Sequence, residues 1–303
     1  MTAFTIVTVL HDSAPELPRL LASIDAHLSD ATQLVAVDSG SSDDGAALAE
    51  AAGAEVVTLG GNPGFGAANN AGVARAGHPV TVLLNPDCEL PDAGLATLAA
   101  LAEGRDALLV PRLLNGDGSL QRSAHSLPGR PGALMRAVLP TRALPQPHRA
   151  RRARPVGWAI AACLAAPTAL LRRLGPFDPG AFLFYEDLDL CLRARAAGVP
   201  TILRPEITVR HLGGRSTARA YGGEAFDLQA RRRREVIAAR LGAGALRIDD
   251  ASQALTFAAR AAVGRERERN LAALTALRAA RRMAPAARRL VQPDDQPRRN
   301  GST

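Results

Sequence analysis

Three polar clusters in the N-terminal part of the chain each follow an apolar run. Asp38 lies in VDSGSSDDG, a glycine-rich segment GGNPGFGAANNAG occupies residues 60–72, and Asp87 lies in LLNPDCEL. A carboxylate beside a diphosphate would repel it unless a divalent cation lay between them, and Mg²⁺ and Mn²⁺ favour oxygen ligands. The three clusters together therefore predict a metal-assisted phosphate site, although either Asp taken alone is also typical of a helix cap or a turn.

The glycine-rich segment allows three interpretations. It can be a tight strand-to-helix turn in which glycines adopt positive φ and Asn69 stabilises the turn. It can be a dinucleotide fingerprint, but Gly64-Phe65-Gly66 lacks the third glycine and follows the third predicted strand instead of the first. We favour a turn that faces a nucleotide, in which Gly64 and Gly66 let the backbone approach the ligand. Asn69 and Asn70 would then supply neutral hydrogen bonds where another carboxylate would repel a diphosphate.

A second candidate region covers residues 181–217. Glu186, Asp187 and Asp189 open a predicted helix, where acidic residues also stabilise the helix dipole. Aromatic and leucine residues crowd the preceding segment, so burial and a neighbouring carboxylate are expected to raise the pKa of one of these acids and make it a general base. His211 precedes a Gly-Gly pair followed by Arg215. A solitary histidine is more often structural, but these groups can also meet phosphate or metal.

The elements that position these residues alternate between strand and helix. Strands are predicted at 4–10, 33–40, 54–60, 80–85 and 107–114, separated by helical or turn-rich segments. This alternation predicts an α/β fold with a mainly parallel sheet and helices on both faces. Ligands of such sheets bind beyond the carboxyl ends of the strands, which is where the polar clusters lie. Further along, residues 202–214 are predicted to form strand, turn and strand.

Composition excludes several other classes of protein. The 303 residues are 47% hydrophobic, enough for a large core, and the three cysteines are widely spaced, which disfavours a disulfide scaffold or a zinc site and favours a cytoplasmic location. We expect no signal peptide, and the longest nearly apolar stretch, residues 157–171, is shorter than the roughly 18 residues a membrane helix needs.

All 37 basic residues are arginine, and the excess charge lies in the last part of the chain. Residues 219–303 contain 18 Arg against 9 Asp and Glu. A near-neutral body with a basic extension disfavours a nucleic-acid-binding protein. Helical patterning over 224–290, including RRRR at 231–234, predicts helices that pack on the body or a partner, or that contact anionic lipid. The Pro- and Arg-rich residues 128–155 are expected to form a mobile loop over an acceptor site.

The ordered set of motifs resembles a known family. VDSGSSDDG, GGNPGFGAANNAG, LLNPDCEL, PVGW, FLFYEDLDLCLR and HLGGRST together are similar to those of family 2 glycosyltransferases with a GT-A fold. The similarity is particularly strong to bacterial rhamnosyltransferases that act on polyprenyl-diphosphate-linked sugars. It extends over about residues 4–217. We accordingly predict a GT-A domain at 1–217, a basic helical extension at 218–291 and a disordered tail at 292–303.

The resemblance implies a role for each candidate residue. Asp38 would accept a hydrogen bond from the base of a dTDP- or UDP-sugar, and the segment from Gly64 to Asn70 would shape the donor pocket, with Asn69 and Asn70 nearest the ligand. Asp87 would bind Mg²⁺ or Mn²⁺, and His211 would add a metal or diphosphate contact. Arg215 would stabilise the departing diphosphate. Asp187 would remove a proton from the acceptor hydroxyl, which with direct displacement implies inversion at the anomeric carbon.

The expected activity is transfer of L-rhamnose from dTDP-rhamnose to a lipid-linked or polysaccharide acceptor at the inner face of the cytoplasmic membrane, with peripheral membrane contact. A UDP-dependent galactofuranosyl or N-acetylhexosaminyl transferase is the alternative enzyme. A nucleotide-sugar-binding protein without transfer activity is the alternative of another class.

Overall fold

The computed structural model describes residues 2–29, 32–138, 146–213, 225–264 and 266–283. Its strands are β1 (Phe4–Leu10), β2 (Gln33–Asp38), β3 (Glu55–Thr58), β4 (Val80–Leu84), β5 (Cys88–Glu89), β6 (Leu108–Leu114), β7 (Ala124–His125), β8 (Arg154–Val156), β9 (Trp158–Ala159), β10 (Cys163–Pro167) and β11 (Thr201–His211). Its helices are α1 (Leu17–His27), α2 (Gly45–Ala51), α3 (Phe65–Arg75), α4 (Gly94–Ala102), α5 (Gly132–Val138), α6 (Thr168–Leu174), α7 (Glu186–Ala196), α8 (Phe226–Ala262) and α9 (Arg267–Arg282). A 3₁₀ turn covers Pro147–Arg149.

The centre of the fold is a nine-stranded sheet in the order β3-β2-β1-β4-β10-β6-β11-β5, with β8 paired to β11. Strands β1 to β4 pair in parallel, as do β6 and β11. The predicted mainly parallel sheet is thus confirmed. Strand β10 is inserted antiparallel between β4 and β6, a feature the alternating pattern did not predict. Its sequence is apolar throughout, which fits a central strand buried on both faces but does not encode its direction.

Two apolar clusters cover the two faces of this sheet. Along β1, Val7 packs into one cluster and Ile6 into the other, because successive side chains of a strand point to opposite faces. Helices α1, α2 and α4 complete the cluster that contains Ile6. Helices α3, α6, α7 and α8 complete the other. Helix α8, which lies in the region predicted to be helical beyond residue 217, therefore shares a core with the sheet, since its Val236 and Ile237 are fully buried there.

Strand β11 differs from its prediction. It is one continuous strand from Thr201 to His211, without the expected turn. Its pairing with β6 shifts register between Arg204 and Thr208, on either side of Pro205. Proline has no N–H to donate to a neighbouring strand. The register shift lets β11 continue past Pro205, so that His211 lies at the end of the strand.

The Pro- and Arg-rich segment is also more regular than expected. It contributes α5, the 3₁₀ turn and β8, and a Cβ atom on Gly129 would lie 2.5 Å from Cβ of Ala245 in α8. The described part of residues 128–155 therefore packs on the body; residues 139–145 lie outside the described chain. Helix α8 is interrupted at Gly242, whose φ of 83° and ψ of 173° are not helical. Within the described residues, no helix is long and apolar enough to cross a membrane.

Candidate active site

A cavity of about 650 Å³ opens where β1, β2 and β4 end. Residues following these strands, His11, Ser39 and Asn85, line it, which is the edge of the sheet where the polar clusters were predicted to meet. The opposite wall comes from Trp158 and from the segment leading into α7. The cavity is also lined by Val9, Ser13, Asn62, Gly64, Phe65, Pro86, Asp87, Ile160, Ala161, Ala162, Phe182, Leu183, Phe184, Tyr185, Glu186, Asp187, His211 and Gln229.

Asp38 is not itself among the residues that line this cavity. Asp38 is 8% exposed, and its Oδ1 accepts a hydrogen bond from the backbone N–H of Ser41 at 3.0 Å. The next residue, Ser39, lines the cavity itself. The carboxylate of Asp38 is thus anchored at the end of β2 by its own turn.

His11 and Asn62 form a polar pair on this side of the cavity that the sequence interpretation missed. The His11 Nδ1 lies 2.9 Å from the carbonyl oxygen of Ser39, and its Nε2 lies 3.2 Å from the Asn62 Nδ2. Because a carbonyl can only accept, these partners assign the proton to Nδ1. The Asn62 Oδ1 accepts from the N–H of Gly64 at 3.0 Å. The position of Asn62 within the glycine-rich segment was the one sequence signal for it.

The glycine-rich segment is a turn only as far as Gly64, after which α3 begins at Phe65. Gly64 has a φ of 97°, and a Cβ atom there would lie 2.2 Å from the carbonyl oxygen of Phe182. A Cβ on Gly66 would lie 2.9 Å from Cβ of Phe177. Both glycines therefore let α3 pack closely against the segment that precedes α7. Gly64 also lines the cavity, as the sequence interpretation expected, whereas Gly66 is not among the lining residues.

Asn69 and Asn70 are placed differently from the expectation that they lie nearest the ligand. Both belong to α3, and neither is among the lining residues of the cavity. The Asn69 Nδ2 donates to the carbonyl of Phe65 at 2.9 Å. Asn70 binds the backbone of Phe177 twice, donating to its carbonyl at 2.8 Å and accepting from its N–H at 3.0 Å. Asn70 thus ties α3 to the chain before α7, whereas the amide of Asn69 bonds within α3 itself.

The structure brings Asp87 and His211 together although 124 positions separate them in the sequence. The antiparallel pairing of β5 with β11 sets His211 opposite Cys88, and the Asp87 Oδ1 lies 3.3 Å from the His211 Nε2. Two ligands that share an Mg²⁺ or Mn²⁺ ion at about 2.1 Å and a right angle lie about 3 Å apart. The spacing and the oxygen–nitrogen donor set therefore fit such an ion.

Gln121 fixes the tautomer of this histidine. Its Oε1 lies 2.9 Å from the His211 Nδ1, while its Nε2 donates to the carbonyl of His211 at 3.2 Å and to the Asn115 Oδ1 at 3.1 Å. With Nε2 engaged as a donor, Oε1 acts as the acceptor, so Nδ1 carries the proton and Nε2 presents a lone pair toward Asp87. No sequence pattern indicated Gln121.

Cys88 lies within 4.8 Å of the Asp87 and His211 ligand atoms. Burial raises the pKa of its thiol well above the usual value, and its Sγ donates to the carbonyl of Ala162 at 3.4 Å. A protonated, engaged thiol is a poor ligand for a hard cation. The ion would accordingly be held by Asp87 and His211.

Glu186 and Asp187 enter the cavity from the first turn of α7 with different protonation behaviour. Burial raises the pKa of Asp187 to about 6, against hydrogen bonds from the backbone N–H groups of Leu188 and Ala161. Burial raises the pKa of Glu186 further, to about 8, and its Oε1 has no hydrogen-bond partner among the residues that the structure describes. Near neutral pH Asp187 is thus mostly ionised and able to accept a proton, whereas Glu186 is mostly protonated.

Asp189, the third acid of this group, faces away from the cavity. Its Oδ2 accepts from the Arg193 Nε at 2.8 Å, and its Oδ1 accepts from the Arg240 Nε at 2.7 Å. Arg193 continues to the carbonyl of Pro176 at 2.8 Å. Asp189 therefore joins α7 to α8 and to the chain before α7.

The segment between α6 and α7 carries backbone strain at the cavity wall. Phe184 and Tyr185 have φ values of 72° and 63°, a conformation that costs a non-glycine residue about 1–3 kcal/mol. Tyr185 is held by Trp158, 6.2 Å away between ring centroids, and by the Arg233 guanidinium, 5.5 Å from its ring centroid. Arg215, expected at the diphosphate, lies outside the described residues.

The fold and this cavity define a class of protein, the GT-A glycosyltransferases. A mannosyltransferase from Pyrobaculum calidifontis, solved with GDP-Man and Mn²⁺, aligns over 94% of this chain and 76% of its own with a TM-score of 0.55 at 17% identity. The glucosyl-3-phosphoglycerate synthase of Mycobacterium tuberculosis aligns over 78% of this chain and 80% of its own, with a TM-score of 0.52 at 21% identity. These similarities establish the GT-A fold.

Sequence comparison gives the family. Residues 5–166 match glycosyl transferase family 2, and the chain belongs to that family. The N-acetylglucosaminyl-diphospho-decaprenol L-rhamnosyltransferase of Mycobacterium tuberculosis is 30% identical over 237 residues, which cover 71% of this chain and 77% of that protein. The protein is therefore a glycosyltransferase that resembles rhamnosyltransferases.

Proposed function

We propose that this enzyme transfers L-rhamnose from dTDP-rhamnose, with inversion, to a lipid-linked or polysaccharide acceptor. One observation carries the proposal: a relative named as a rhamnosyltransferase matches 71% of the chain. Asp87 and Asp187 of this chain line one cavity, which agrees with such an activity. That relative's name also suggests an acceptor sugar attached through a diphosphate to a polyprenyl lipid.

The reaction follows from the two chemistries that the cavity wall offers. Asp187 takes the proton of an acceptor hydroxyl, whose oxygen forms a bond to the anomeric carbon of the donor sugar. The bond from that carbon to the nucleoside diphosphate breaks, and the diphosphate leaves with the electron pair. Asp87 and His211 would hold Mg²⁺ or Mn²⁺, which supplies positive charge for the diphosphate when bound.

The remaining residues act in donor binding. Asp38 accepts the N3–H of the base, and Gly64 lets the backbone approach the nucleotide. Gly66, Asn69 and Asn70 support this wall from α3, through the packing and backbone hydrogen bonds described above. Arg215 is proposed as a further diphosphate contact on sequence grounds alone.

Donor choice is tested by thermal shift with dTDP-rhamnose, UDP-galactofuranose, UDP-N-acetylglucosamine and GDP-mannose, each with and without Mn²⁺. The largest Mn²⁺-dependent shift is expected with dTDP-rhamnose. A larger shift with UDP-galactofuranose or UDP-N-acetylglucosamine would replace the proposal with a UDP-dependent transferase. Binding of dTDP-rhamnose without transfer to any acceptor of the proposed class would favour a nucleotide-sugar-binding protein instead.

Peripheral contact with an anionic membrane surface is proposed from an exposed basic cluster. Arg149, Arg151, Arg152 and Arg154 are all exposed around the 3₁₀ turn and β8. Each Arg near an anionic bilayer contributes about 1 kcal/mol. Replacing the four by Gln is expected to reduce sedimentation with phosphatidylglycerol vesicles, while phosphatidylcholine vesicles serve as the control. Unchanged sedimentation would contradict the proposal.

A further inference from the structure

Helix α8, the first described helix of the C-terminal extension, reaches the cavity through Gln229. This residue lines the cavity together with Tyr185, although it lies in the part of the chain where no catalytic motif was found. It is half-buried, and within the described residues its carboxamide makes no hydrogen bond. A half-buried amide beside a cavity, with no partner in the described part of the chain, is available to a ligand.

Gln229 lies beside the segment that carries the proposed base. It shares a second, small cavity of about 50 Å³ with Tyr185 and Arg233, so the three side chains are neighbours. Arg233 follows Gln229 by one helical turn and places its guanidinium 5.5 Å from the ring centroid of Tyr185. Tyr185 is two residues before Asp187. The amide of Gln229 is therefore on the side of the cavity where a hydroxyl must approach Asp187.

One charged contact joins the two parts of α8 on either side of Gly242, and another joins α8 to α7. Arg233 makes two hydrogen bonds to the buried Asp249, at 2.8 and 2.7 Å, and Arg240 binds Asp189 of α7 at 2.7 Å. Planar two-point pairing of this kind restricts the guanidinium geometrically as well as electrostatically. The helix turn that carries Gln229 is thus held in place before any ligand binds.

We propose that Gln229 is an acceptor-selecting residue, whose carboxamide hydrogen-bonds a hydroxyl or acetamido group of the acceptor sugar. The inference rests on the proposed function, because it assumes that the sugar hydroxyl to be deprotonated lies at Asp187. A neutral amide both donates and accepts, which suits the hydroxyl and amide groups of sugars. The C-terminal extension then takes part in substrate recognition in addition to packing on the body.

The test compares Gln229→Ala with Gln253→Ala, which removes the same side chain from the same helix but lines only the small cavity. Calorimetry measures binding of an N-acetylglucosaminyl diphosphate with a short prenyl chain, in the presence of dTDP. Gln229→Ala is expected to weaken acceptor binding about three- to tenfold, the usual effect of losing one neutral hydrogen bond. Gln253→Ala is expected to leave it unchanged, and neither variant should alter the affinity for dTDP alone.

Gln229→Glu provides a second variant, expected to weaken acceptor binding more than Gln229→Ala, because it adds a negative charge where a diphosphate-linked sugar must enter. Equal acceptor affinity of wild type and Gln229→Ala would overturn the proposed role of Gln229 and leave the proposed function untouched. Wild-type binding of the acceptor without rhamnose transfer would count against the proposed reaction and leave Gln229 as a binding residue. Absence of acceptor binding by the wild type would overturn both.

Discussion

Replacing Asp187 by Asn should abolish transfer, and the pH dependence of the wild type should show why. With the pKa of Asp187 raised to about 6 by burial, the carboxylate is about 90% ionised at pH 7 and about 10% ionised at pH 5. The rate of a reaction that needs the ionised form should therefore fall about tenfold between these two pH values. Asn keeps the size of the side chain but cannot take a proton, so a loss of about 10²- to 10⁴-fold is expected.

The assay is release of dTDP from dTDP-rhamnose in the presence of acceptor, measured from pH 5 to 8 under single-turnover conditions. Affinity for dTDP, measured by calorimetry, should be unchanged in Asp187→Asn. The matched control is Glu186→Gln: burial raises the pKa of Glu186 to about 8, so a neutral amide there imitates the protonated acid present at pH 7. This variant should keep most of its activity, and its rate should fall between pH 7 and pH 5 as it does in the wild type. A flat profile between pH 5 and 7, or near-normal turnover by Asp187→Asn, would refute the assignment of the base.

Two further predictions concern the donor side of the cavity. Gly64→Ala should lower the free energy of unfolding by about 1–3 kcal/mol, since φ is 97° and the new Cβ would lie 2.2 Å from the Phe182 carbonyl oxygen. Gly60→Ala, which meets nothing within 4 Å, should change it by less than about 0.5 kcal/mol in the same urea titration, and equal effects would contradict the packing argument. Gln121→Leu should weaken Mn²⁺ binding about 10- to 100-fold by calorimetry, because His211 loses the acceptor that fixes its tautomer. Unaltered Mn²⁺ affinity would show that this hydrogen bond does not orient the histidine.

The arginine run at 231–234 illustrates how far composition can be interpreted. As a sequence it allowed helices packed on the body or contact with anionic lipid. In the structure Arg232 and Arg234 are buried. Arg233 binds Asp249, which lies on the other side of the break in α8 at Gly242. These side chains stabilise the helical extension internally, because their carboxylate partners lie within the extension itself. Arg231 of the run is exposed, as are Arg149, Arg151, Arg152 and Arg154, which form the basic cluster proposed above to meet the membrane.

Local patterns were sufficient for the elements and for part of the site. Apolar runs and their spacing indicated the parallel strands, and the polar residues after them pointed to the correct edge of the sheet. The same local information was misleading for Asn69 and Asn70, whose amides bind backbone, and for Pro205, where a register shift replaces the expected turn.

By itself, the sequence determined the α/β class and the positions of Asp87 and Asp187, because strand periodicity and the residues at strand and helix ends are local properties of the chain. Only the tertiary structure decided that β10 enters the sheet antiparallel and that His211, held by Gln121, meets Asp87. It also decided that Gln229 lines the same cavity as Tyr185 and the first turn of α7. Those relations depend on strand pairing and helix packing between residues far apart in the sequence, and each of these side chains has a function only through neighbours that chain folding brings to it.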